Sequence, residues 1–325
     1  MNINATKLEP LVSVILPVYN RNEYLKQAIN SVLSQSYKNW ELVIADDASD
    51  NNTRDLLQEY VGLFKVKVKF NSKNLGIFSN LNEAMVSCQG EYIILLCSDD
   101  FLRPHCLENC LSLIYQYFEV SLILSTIDTI DSNSKLLCRS RNLQFVKETQ
   151  ILYPQETVPL LLQYGSINGN LTGMFFRKSL YEQVGGFRED WQHAADWEWL
   201  YRVADCSPIL VSKTNVAAIR SHAKKLSGVN FVNQRNSIEV AEMTKTLLSN
   251  PRVSNLELAQ YWALNRMERY LWYAVKFAFQ GRLLAAIINL RLVHETTGIA
   301  STFWVMLNNL PRRWKNYKKK STFFY

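Results

Sequence analysis

The stretch VSVILPVYNRNEYLKQAINSVLSQSYKNWELVIADDASD, residues 12–50, indicates the fold of the N-terminal part of the chain. It contains two apolar runs, VSVILPV at 12–18 and WELVIAD at 40–46, with a helix-like segment between them. Nearly continuous apolar runs of this length are typical of strands that are covered on both faces of a parallel sheet. The stretch therefore predicts a strand–helix–strand unit with polar residues directly after each strand.

The same alternation continues to about residue 130. Further strands are predicted at KVKVKF (65–70), YIILLC (92–97) and SLILSTI (121–127), and helices at 23–34, 53–61, 78–88 and 104–118. KVKVKF alternates strictly, with its three lysines on one side, which predicts a half-exposed strand. A β-α-β-α-β order of this length predicts an α/β fold with a doubly wound sheet, whose ligands bind beyond the carboxyl ends of the strands.

Polar residues follow three of the predicted strands: Pro17 to Asn20, Asp46 to Asp50, and Ser98 to Asp100. Asp50 with Asn51 is predicted to cap the next helix. Turn and cap chemistry explains either aspartate pair alone about equally well. Four carboxylates at one sheet edge repel one another unless a positive charge lies among them, and hard oxygen ligands suit Mg²⁺ or Mn²⁺. The sequence therefore predicts a divalent cation at this edge.

Two other classes of nucleotide-binding protein are excluded by absent motifs. The chain has no GxxxxGK[ST] phosphate loop and no GxGxxG dinucleotide fingerprint. Both motifs work through glycine-rich backbone that lies close to phosphate groups. A phosphate-loop NTPase and a dinucleotide enzyme are therefore not expected.

These motifs resemble family 2 glycosyltransferases, which have the GT-A fold. The resemblance extends from residues 12–53 through NLGIFSNLNEAMVSCQGEYIILLCSDDFLRP, TGMFFRKSLYEQVGGFREDW and HAADWEWLYRVA, and covers roughly residues 10–225. It implies a GT-A sheet, mostly parallel and flanked by helices, and a metal-assisted, inverting, hexosyltransferase-type enzyme of polysaccharide biosynthesis. Such an enzyme moves a sugar from a nucleotide sugar, with a UDP-sugar favoured, to a hydroxyl of a glycan or lipid-linked acceptor.

The resemblance also implies roles for donor-side residues. Pro17 and Asn20 would border the nucleotide base, Asp47 would accept a hydrogen bond from the base or ribose, and Asn74 with Gly76 would form a turn beside the donor. Ser98-Asp99-Asp100 stands where the family has variants of its D-x-D motif, with Ser in place of the first Asp. Adjacent residues that leave a strand point to opposite sides. Asp99 is therefore expected to face the ribose and Asp100 the cation.

On the acceptor side the resemblance implies that Asp196 is the catalytic base, with Glu198 as the fallback. The two residues project about 200° apart on a helix, so they cannot both face the crevice. An acidic first turn that complements the helix dipole is the structural alternative, and His193 is an alternative base. The tryptophans near Asp196 are expected to stack on the acceptor sugar, Trp191 first and then Trp197.

The pattern R-x-H-x-x-x-x-S at Arg220, His222 and Ser227 also fits the family. It implies that His222 approaches the metal or the diphosphate and that Arg220 assists nearby. A surface-loop histidine is the structural alternative. Lys224 and Lys225 could close over the leaving group, although a solvated charge pair is favoured for them.

Charge and pattern change towards the C-terminus. Residues 251–325 contain 12 lysines and arginines against three acidic residues, whereas residues 1–250 contain 24 against 26. We predict a GT-A domain over 1–227 and a helical domain over 228–325, with helices near 264–278, 283–293 and 302–310, the last ended by Pro311. The tail PRRWKNYKKKSTFFY favours an anionic membrane surface as partner; a solvated tail is the alternative. No nucleic-acid motif accompanies the tail, so nucleic acid is not expected.

The sequence also gives an expectation for location. The six cysteines form no CxxC pair, the N-terminus lacks a signal-peptide pattern, and no window has the 18 apolar residues of a membrane span. We expect a cytoplasmic protein, peripheral at the inner face of the membrane.

Two other functions stay open at this point. A sugar nucleotidyltransferase would need a glycine-rich basic N-terminal loop, which LPVYNRNEY is not. A non-catalytic nucleotide-sugar-binding scaffold would use Asp47 and Asp99 without needing Asp196.

Overall fold

The computed structural model describes residues 9–20, 23–139, 142–221 and 234–321, with side chains up to residue 310. The chain divides into two compact units. Unit 1 comprises Met1–Thr157 and Ser166–Lys225, and unit 2 comprises Val158–Gly165 and Leu226–Tyr325. The predicted boundary at residue 227 lies outside the described residues.

Unit 1 is built on one sheet. Its strands are β1 Val12–Val18, β2 Trp40–Asp46, β3 Val66–Phe70, β4 Tyr92–Leu95, β5 Phe101–Leu102, β6 Leu122–Ile130, β7 Leu136–Cys138, β8 Gln150–Leu152, β9 Met174–Arg177 and β10 Ile209–Arg220. The strand order is β3-β2-β1-β4-β9-β6-β10-β5, with β7 paired to β6 and β8 paired to β10.

Four of the five predicted strands form a parallel group, and the fifth, β6, lies beyond β9. β1 pairs in parallel with β2 and β4, and β2 pairs in parallel with β3. The register sets Val18 beside Asp46, so the carboxyl ends of β1 and β2 lie together. Beyond β4 the sheet is mixed, because β9 runs antiparallel to both β4 and β6. This order places the ends of β1, β2 and β4 at one edge, where the polar residues follow.

Seven helices of the described residues belong wholly or partly to unit 1: α1 Leu25–Leu33, α2 Asn51–Gln58, α3 Ile77–Val86, α4 Cys106–Gln116, α5 Pro154–Tyr164, α6 Lys178–Val184 and α7 Ala195–Cys206. Asp50 caps α2 as predicted, since its Oδ1 accepts a hydrogen bond from the backbone N–H of Thr53 at 2.9 Å. The cap satisfies one of the unpaired N–H groups at the helix start.

The core of unit 1 explains why its strands are so apolar. β1, β2, β4 and β6 are buried along nearly their whole length, and one continuous apolar cluster joins them to α1 and α4. Each fully buried aliphatic side chain contributes about 1.5–3 kcal/mol to this core. β3 is only partly buried after its first residue, as its alternating lysines predict.

Unit 2 is helical in its described part. Its helices are α8 Arg235–Ser249, α9 Pro251–Ser254, α10 Ala259–Phe279, α11 Leu283–Thr297 and α12 Ile299–Ser321, and α10 packs against both α11 and α12. In α10, Arg266 donates to the backbone O of Leu162 at 2.5 Å, and burial lowers the pKa of this guanidinium to about 10.

The prediction that Pro311 ends the last helix is wrong, because α12 continues through it to Ser321. A proline inside a helix removes one backbone hydrogen bond, at a cost of about 3 kcal/mol. Good helix formers follow Pro311, so the helix resumes beyond the missing bond. α5 likewise contains an internal proline, Pro159.

Candidate active site

The loops after β1 and β2 are joined at the carboxyl edge of the sheet. The backbone N–H of Asn20 donates to Ser49 Oγ at 3.0 Å, and the N–H of Asp50 donates to Asn20 Oδ1 at 2.8 Å. Asn20 has a φ of 49°, a left-handed conformation that asparagine tolerates. Pro17 lies in β1 opposite Ala45. The two loops therefore form one polar rim.

Asp47 organises the turn that follows β3. Its buried carboxylate accepts hydrogen bonds from the backbone N–H of Leu75 at 2.8 Å and of Gly76 at 2.9 Å, and from Asn71 Nδ2 at 3.2 Å. Asn74 Nδ2 donates to the backbone O of Asp47 at 3.3 Å. The structure thus brings Asp47, Asn74 and Gly76 together as predicted. About four lone-pair positions exist on a carboxylate, and three are used here to shape the turn.

The first aspartate pair of the acidic edge is stabilised by donors of the protein itself. Asp46, which is fully buried, pairs with Arg54 Nε at 3.0 Å. Asp47 is held by N–H donors, as described above. Arg54 thus supplies a positive charge beside Asp46, and the divalent cation at this edge stays a prediction.

The roles predicted for Asp99 and Asp100 do not match their surroundings. Asp100 is 2% exposed, and its two oxygens accept from the N–H of Arg220 at 2.8 Å, Asn170 Nδ2 at 3.0 Å and Thr172 Oγ1 at 2.5 Å. Asp99 is partly exposed. The two neighbours therefore differ in exposure, although β4 already ends at Leu95. The carboxylate assigned to the cation, Asp100, is nevertheless the buried one and is used to tie three segments together.

Arg220 ties the end of β10 to its surroundings rather than lying open to an acceptor. It is 1% exposed, and its guanidinium lies 4.1 Å from the centre of the Tyr24 ring. Its side-chain N–H groups donate to Gln27 Oε1, Ser134 Oγ and the backbone oxygens of Asp99, Asp131 and Ser132. All three guanidinium nitrogens therefore donate to protein acceptors, and an auxiliary role of Arg220 in the reaction stays a prediction.

The segment SINGNLT at 166–172 connects two of the candidate carboxylates, which the sequence did not reveal. Asn170 Nδ2 binds Asp100, while the backbone O of Asn170 accepts from Asn168 Nδ2 at 3.1 Å. Asn168 Nδ2 also donates to Asp196 Oδ2 at 3.3 Å, and Ser166 Oγ lies 3.4 Å from the same oxygen. A continuous series of hydrogen bonds therefore connects Asp100 to Asp196. Only the dense Asn, Ser and Gly content of this segment could have indicated a polar loop.

Asp196 lies in the first turn of α7 with an unusual electrostatic environment. Burial raises the pKa of its carboxyl above the ordinary value of 3.8, against opposing effects from Asn168, the backbone N–H of Trp197, the charge of His193 and Ser166. Its side chain nevertheless keeps some contact with solvent. A partly accessible carboxylate with a raised pKa has the properties required of a general base.

The other residues predicted near Asp196 are buried or paired with protein groups. Glu198 pairs with Arg202 through both of its oxygens, at 2.9 and 3.1 Å, and Arg202 also donates to backbone oxygens of the turn after α6. Trp191 is 5% exposed beneath the Arg188 guanidinium, and Trp197 is 3% exposed. Neither indole has an exposed face in this structure, and stacking of either one on an acceptor sugar stays a prediction.

His222 lies outside the described residues, together with Ser227 and the two lysines between them. Within the described ranges, no three His, Cys, Asp or Glu side chains converge to hold a metal ion. Proteins commonly bind Mg²⁺ through one or two carboxylates together with substrate phosphates. Asp99, partly exposed at the end of the β4 segment, fits such a site.

A cleft of about 490 Å³ opens on unit 1. Its lining includes Phe101, Arg103, Asp128 and Asn215, and none of the residues predicted for catalysis or donor binding. Arg103 pairs with Asp128 across it at 2.7 Å. The cleft nevertheless adjoins the turn that carries Asp99, because Phe101 directly follows Asp100 and Ser134 accepts a hydrogen bond from Arg220.

Comparison with known proteins identifies the family. The model of glycosyl transferase family 2 matches residues 13–185, which is more than half of the chain. The chain belongs to glycosyl transferase family 2. The family match includes the rim after β1, β2 and β4 and the SINGNLT segment, and it ends before Asp196.

Curated relatives are similar in sequence over part of their length. TuaG of Bacillus subtilis (strain 168), whose name proposes a role in teichuronic acid biosynthesis, is 40% identical over 105 residues, 32% of this chain and 42% of TuaG. The chondroitin synthase of Escherichia coli is 25% identical over 280 residues, 83% of this chain and 37% of that protein. The chain thus spans about two fifths of the length of these family 2 relatives.

Solved structures share the fold. The structure of S. aureus TarS 1–349 in complex with UDP-GlcNAc has a TM-score of 0.63 at 18% identity, covering 88% of this chain and 81% of that one. The mannosyltransferase PcManGT from Pyrobaculum calidifontis, in complex with GDP-Man and Mn²⁺, has a TM-score of 0.57 at 16% identity, covering 97% and 84%. These likenesses show a GT-A-like mixed α/β sheet with flanking helices in this family 2 chain.

No helix of the described part is by itself long and apolar enough to cross a bilayer. Leu283–Thr297 and Ile299–Leu310 meet the length and composition criteria only as a pair, and this pair is bent by 99°.

Proposed function

We propose that the chain is an inverting, hexosyltransferase-type enzyme of polysaccharide biosynthesis, with Asp196 as the base. It would transfer a sugar from a nucleotide sugar to a hydroxyl of a glycan or lipid-linked acceptor. Membership of family 2 supports the reaction class. Hydrogen bonds connect Asp196 through Asn168 and Asn170 to Asp100. This connection is the observation that supports Asp196 as the base. It ties the base to the turn that carries Asp99.

The donor is proposed to be a UDP-sugar. TarS has been solved with UDP and with UDP-GlcNAc, and the fold of this chain is similar to that of TarS. The rim formed by Pro17, Asn20 and the turn that Asp47 holds would border the base and ribose. Asp47 would act mainly by shaping that turn, because its oxygens already accept three hydrogen bonds.

In the proposed reaction the acceptor oxygen bonds to the anomeric carbon as the bond from that carbon to the diphosphate breaks. Asp196 takes the proton of the acceptor hydroxyl, and the nucleoside diphosphate leaves with the bonding electron pair. Mg²⁺ or Mn²⁺, when bound, would stabilise the charge on the diphosphate. We propose Asp99 as its ligand in this chain, because Asp100 is buried and engaged by three donors.

Exchanging one carboxylate at a time tests this assignment. Asp99→Asn is expected to weaken Mn²⁺-dependent UDP binding, measured by calorimetry, by at least about tenfold, or 1.4 kcal/mol. The matched variant Asp100→Asn should instead lower the midpoint of thermal unfolding, because an amide cannot accept from all three donors around it. If UDP binding lost its Mn²⁺ dependence in Asp100→Asn but kept it in Asp99→Asn, Asp100 would be the metal ligand, as the sequence predicted.

The raised pKa of Asp196 has a consequence for the pH dependence of transfer. The base works only when ionised, so kcat should rise with pH along an acid limb centred above 3.8. Asn168 stabilises the ionised form, and Asn168→Ala should move this limb to still higher pH. A kcat–pH profile of both proteins checks this, and an unchanged limb in Asn168→Ala would argue against Asn168 as a positioning residue.

Product analysis separates the proposed enzyme from the two alternatives. With Mn²⁺ and a panel of nucleotide sugars, a glycosyltransferase releases a nucleoside diphosphate, by transfer or by slow hydrolysis. A nucleotidyltransferase would release pyrophosphate from a nucleoside triphosphate and a sugar phosphate. A binding scaffold would release neither while still binding the donor, and that result would overturn the proposal.

A further inference from the structure

The outer side of α11 is apolar although it faces solvent. Leu283, Leu284, Ile287 and Leu290 are all exposed, with Leu284 at 73%. At 100° per residue these four positions lie within about 120° of one another on the helix. The opposite side is buried in unit 2 through Ala285, Ala286, Asn289 and Val293. The helix therefore has two sides that avoid water, and only one of them is covered within unit 2.

The start of α12 repeats this feature. Ile299, Phe303, Trp304, Leu307 and Leu310 are exposed, with Trp304 at 69%. The inner side of the same segment is formed by Thr302 and Met306, which are buried. Phe279, at the end of α10, is 90% exposed. We call the exposed apolar residues of α11 and α12 the α11–α12 surface.

The sequence around this surface is strongly basic. Residues 269–320 contain ten lysines and arginines and one acidic residue, Glu295. Glu295 is itself paired with Lys245 and Arg291. Lys276, Arg282 and Arg291 are exposed beside the apolar positions. A partner of negative charge that also accepts apolar side chains is complementary to this combination.

An anionic bilayer surface has that chemistry. Helices that lie in the interface bury leucine, phenylalanine and tryptophan at the boundary of headgroups and acyl chains, while basic residues attract anionic lipids. Neither helix meets the criteria for a single span, and the bend of 99° between them suits helices that lie on a membrane rather than cross it.

We propose that the α11–α12 surface binds the surface of an anionic lipid bilayer. The apolar side chains of both helices enter the interface, and the neighbouring lysines and arginines contact the headgroups. This inference concerns unit 2 and does not depend on the reaction that unit 1 catalyses. It also differs from binding by the basic tail alone, because it requires the aliphatic and aromatic residues before Pro311.

Vesicle flotation with the full-length chain tests the proposal. The probes are vesicles of phosphatidylcholine alone and vesicles with 30% phosphatidylglycerol, at low and at high salt. We expect flotation with the anionic vesicles and little with phosphatidylcholine, and high salt should reduce it because it screens the headgroup charge. Leu284→Ser/Ile287→Ser in α11 and Phe303→Ser/Trp304→Ser in α12 are each expected to lower the bound fraction by about tenfold or more.

The matched control is Val86→Ser/Phe118→Ser in unit 1, where both side chains are 82% exposed. It removes a similar amount of exposed apolar surface and should float like the parent. If both unit 2 variants also float like the parent, the proposal is overturned and the basic tail alone accounts for binding. A second copy of the chain is the alternative partner of this surface, and light scattering tests it. If the chain is a dimer that the unit 2 variants dissociate, while their vesicle binding is unchanged, the surface is a dimer interface.

Discussion

Replacing Asp196 with asparagine is expected to lower the rate of sugar transfer by about 10²- to 10⁴-fold, the range that a positioned general base contributes. The variant keeps the size of the side chain and retains an oxygen that can accept from Asn168. It loses the ability to take the proton of the acceptor hydroxyl. UDP binding, measured by calorimetry, should change little, because Asp47 and Asp99 are untouched.

The fold should tolerate this change. Burial raises the pKa of Asp196, so the folded state favours its neutral form over the carboxylate. At a pH above the pKa of Asp196 in the folded protein, the buried carboxylate lowers the free energy of unfolding. At a pH below the pKa of this group in the unfolded chain, the side chain is neutral in both states and this cost is absent. A neutral amide removes the cost. We therefore expect the midpoint of thermal unfolding of Asp196→Asn at neutral pH to be equal to or above that of the parent.

Glu198→Gln is the matched control for the same helix turn. It weakens the pair with Arg202, which holds the turn after α6, so a modest loss of stability with transfer largely retained is expected. If Glu198→Gln instead abolished transfer while Asp196→Asn remained active, the base would be Glu198. If both variants retained activity, His193 would be the remaining candidate for the base.

The sequence predicted the half of the sheet that carries long apolar runs. The segments that became β1, β2 and β4 are buried on both faces, so their composition alone identifies them. β5, β7, β8 and β9 have two to four residues each and were not predicted, and neither was the twelve-residue β10. Their strand conformation depends on pairing with distant partners, as between β9 and β4, and a short segment carries little signal of such contacts.

The sequence predicted which edge of the sheet carries the candidate residues, but not which groups contact each of them. Residue type and position placed Asp47 and Asp99 among the candidates, because carboxylates after strands of such a sheet lie near its ligands. Asp196, in the first turn of α7, was a candidate only through the family resemblance. Whether a given carboxylate is accessible depends on which donors surround it. Asp100 is engaged by residues 70 to 120 positions away in the chain. The burial of Trp191 and Trp197 has the same origin, since tertiary packing decides which side of an aromatic residue stays exposed.

Arg220→Met is expected to destabilise the protein by about 3 kcal/mol or more, the range found when one partner of a buried polar network is removed. The side chain of Arg220 is buried and its guanidinium donates to three backbone oxygens and two side chains, and a methionine of similar length makes none of these hydrogen bonds. The measurement is urea unfolding followed by fluorescence, with the free energy of unfolding compared at equal slope.

Arg103→Met is the matched control for the stability of Arg220→Met. Arg103 also pairs with an aspartate, Asp128, but its side chain is 36% exposed, so its loss should cost only about 1 kcal/mol or less. Arg220→Lys keeps the charge but not the planar fork, and should recover little of the lost stability. If Arg220→Met were no less stable than Arg103→Met, the network around Arg220 would not hold the end of β10. Because the N–H of Arg220 also binds Asp100, loss of that network should further weaken UDP binding by loosening the turn that carries Asp99.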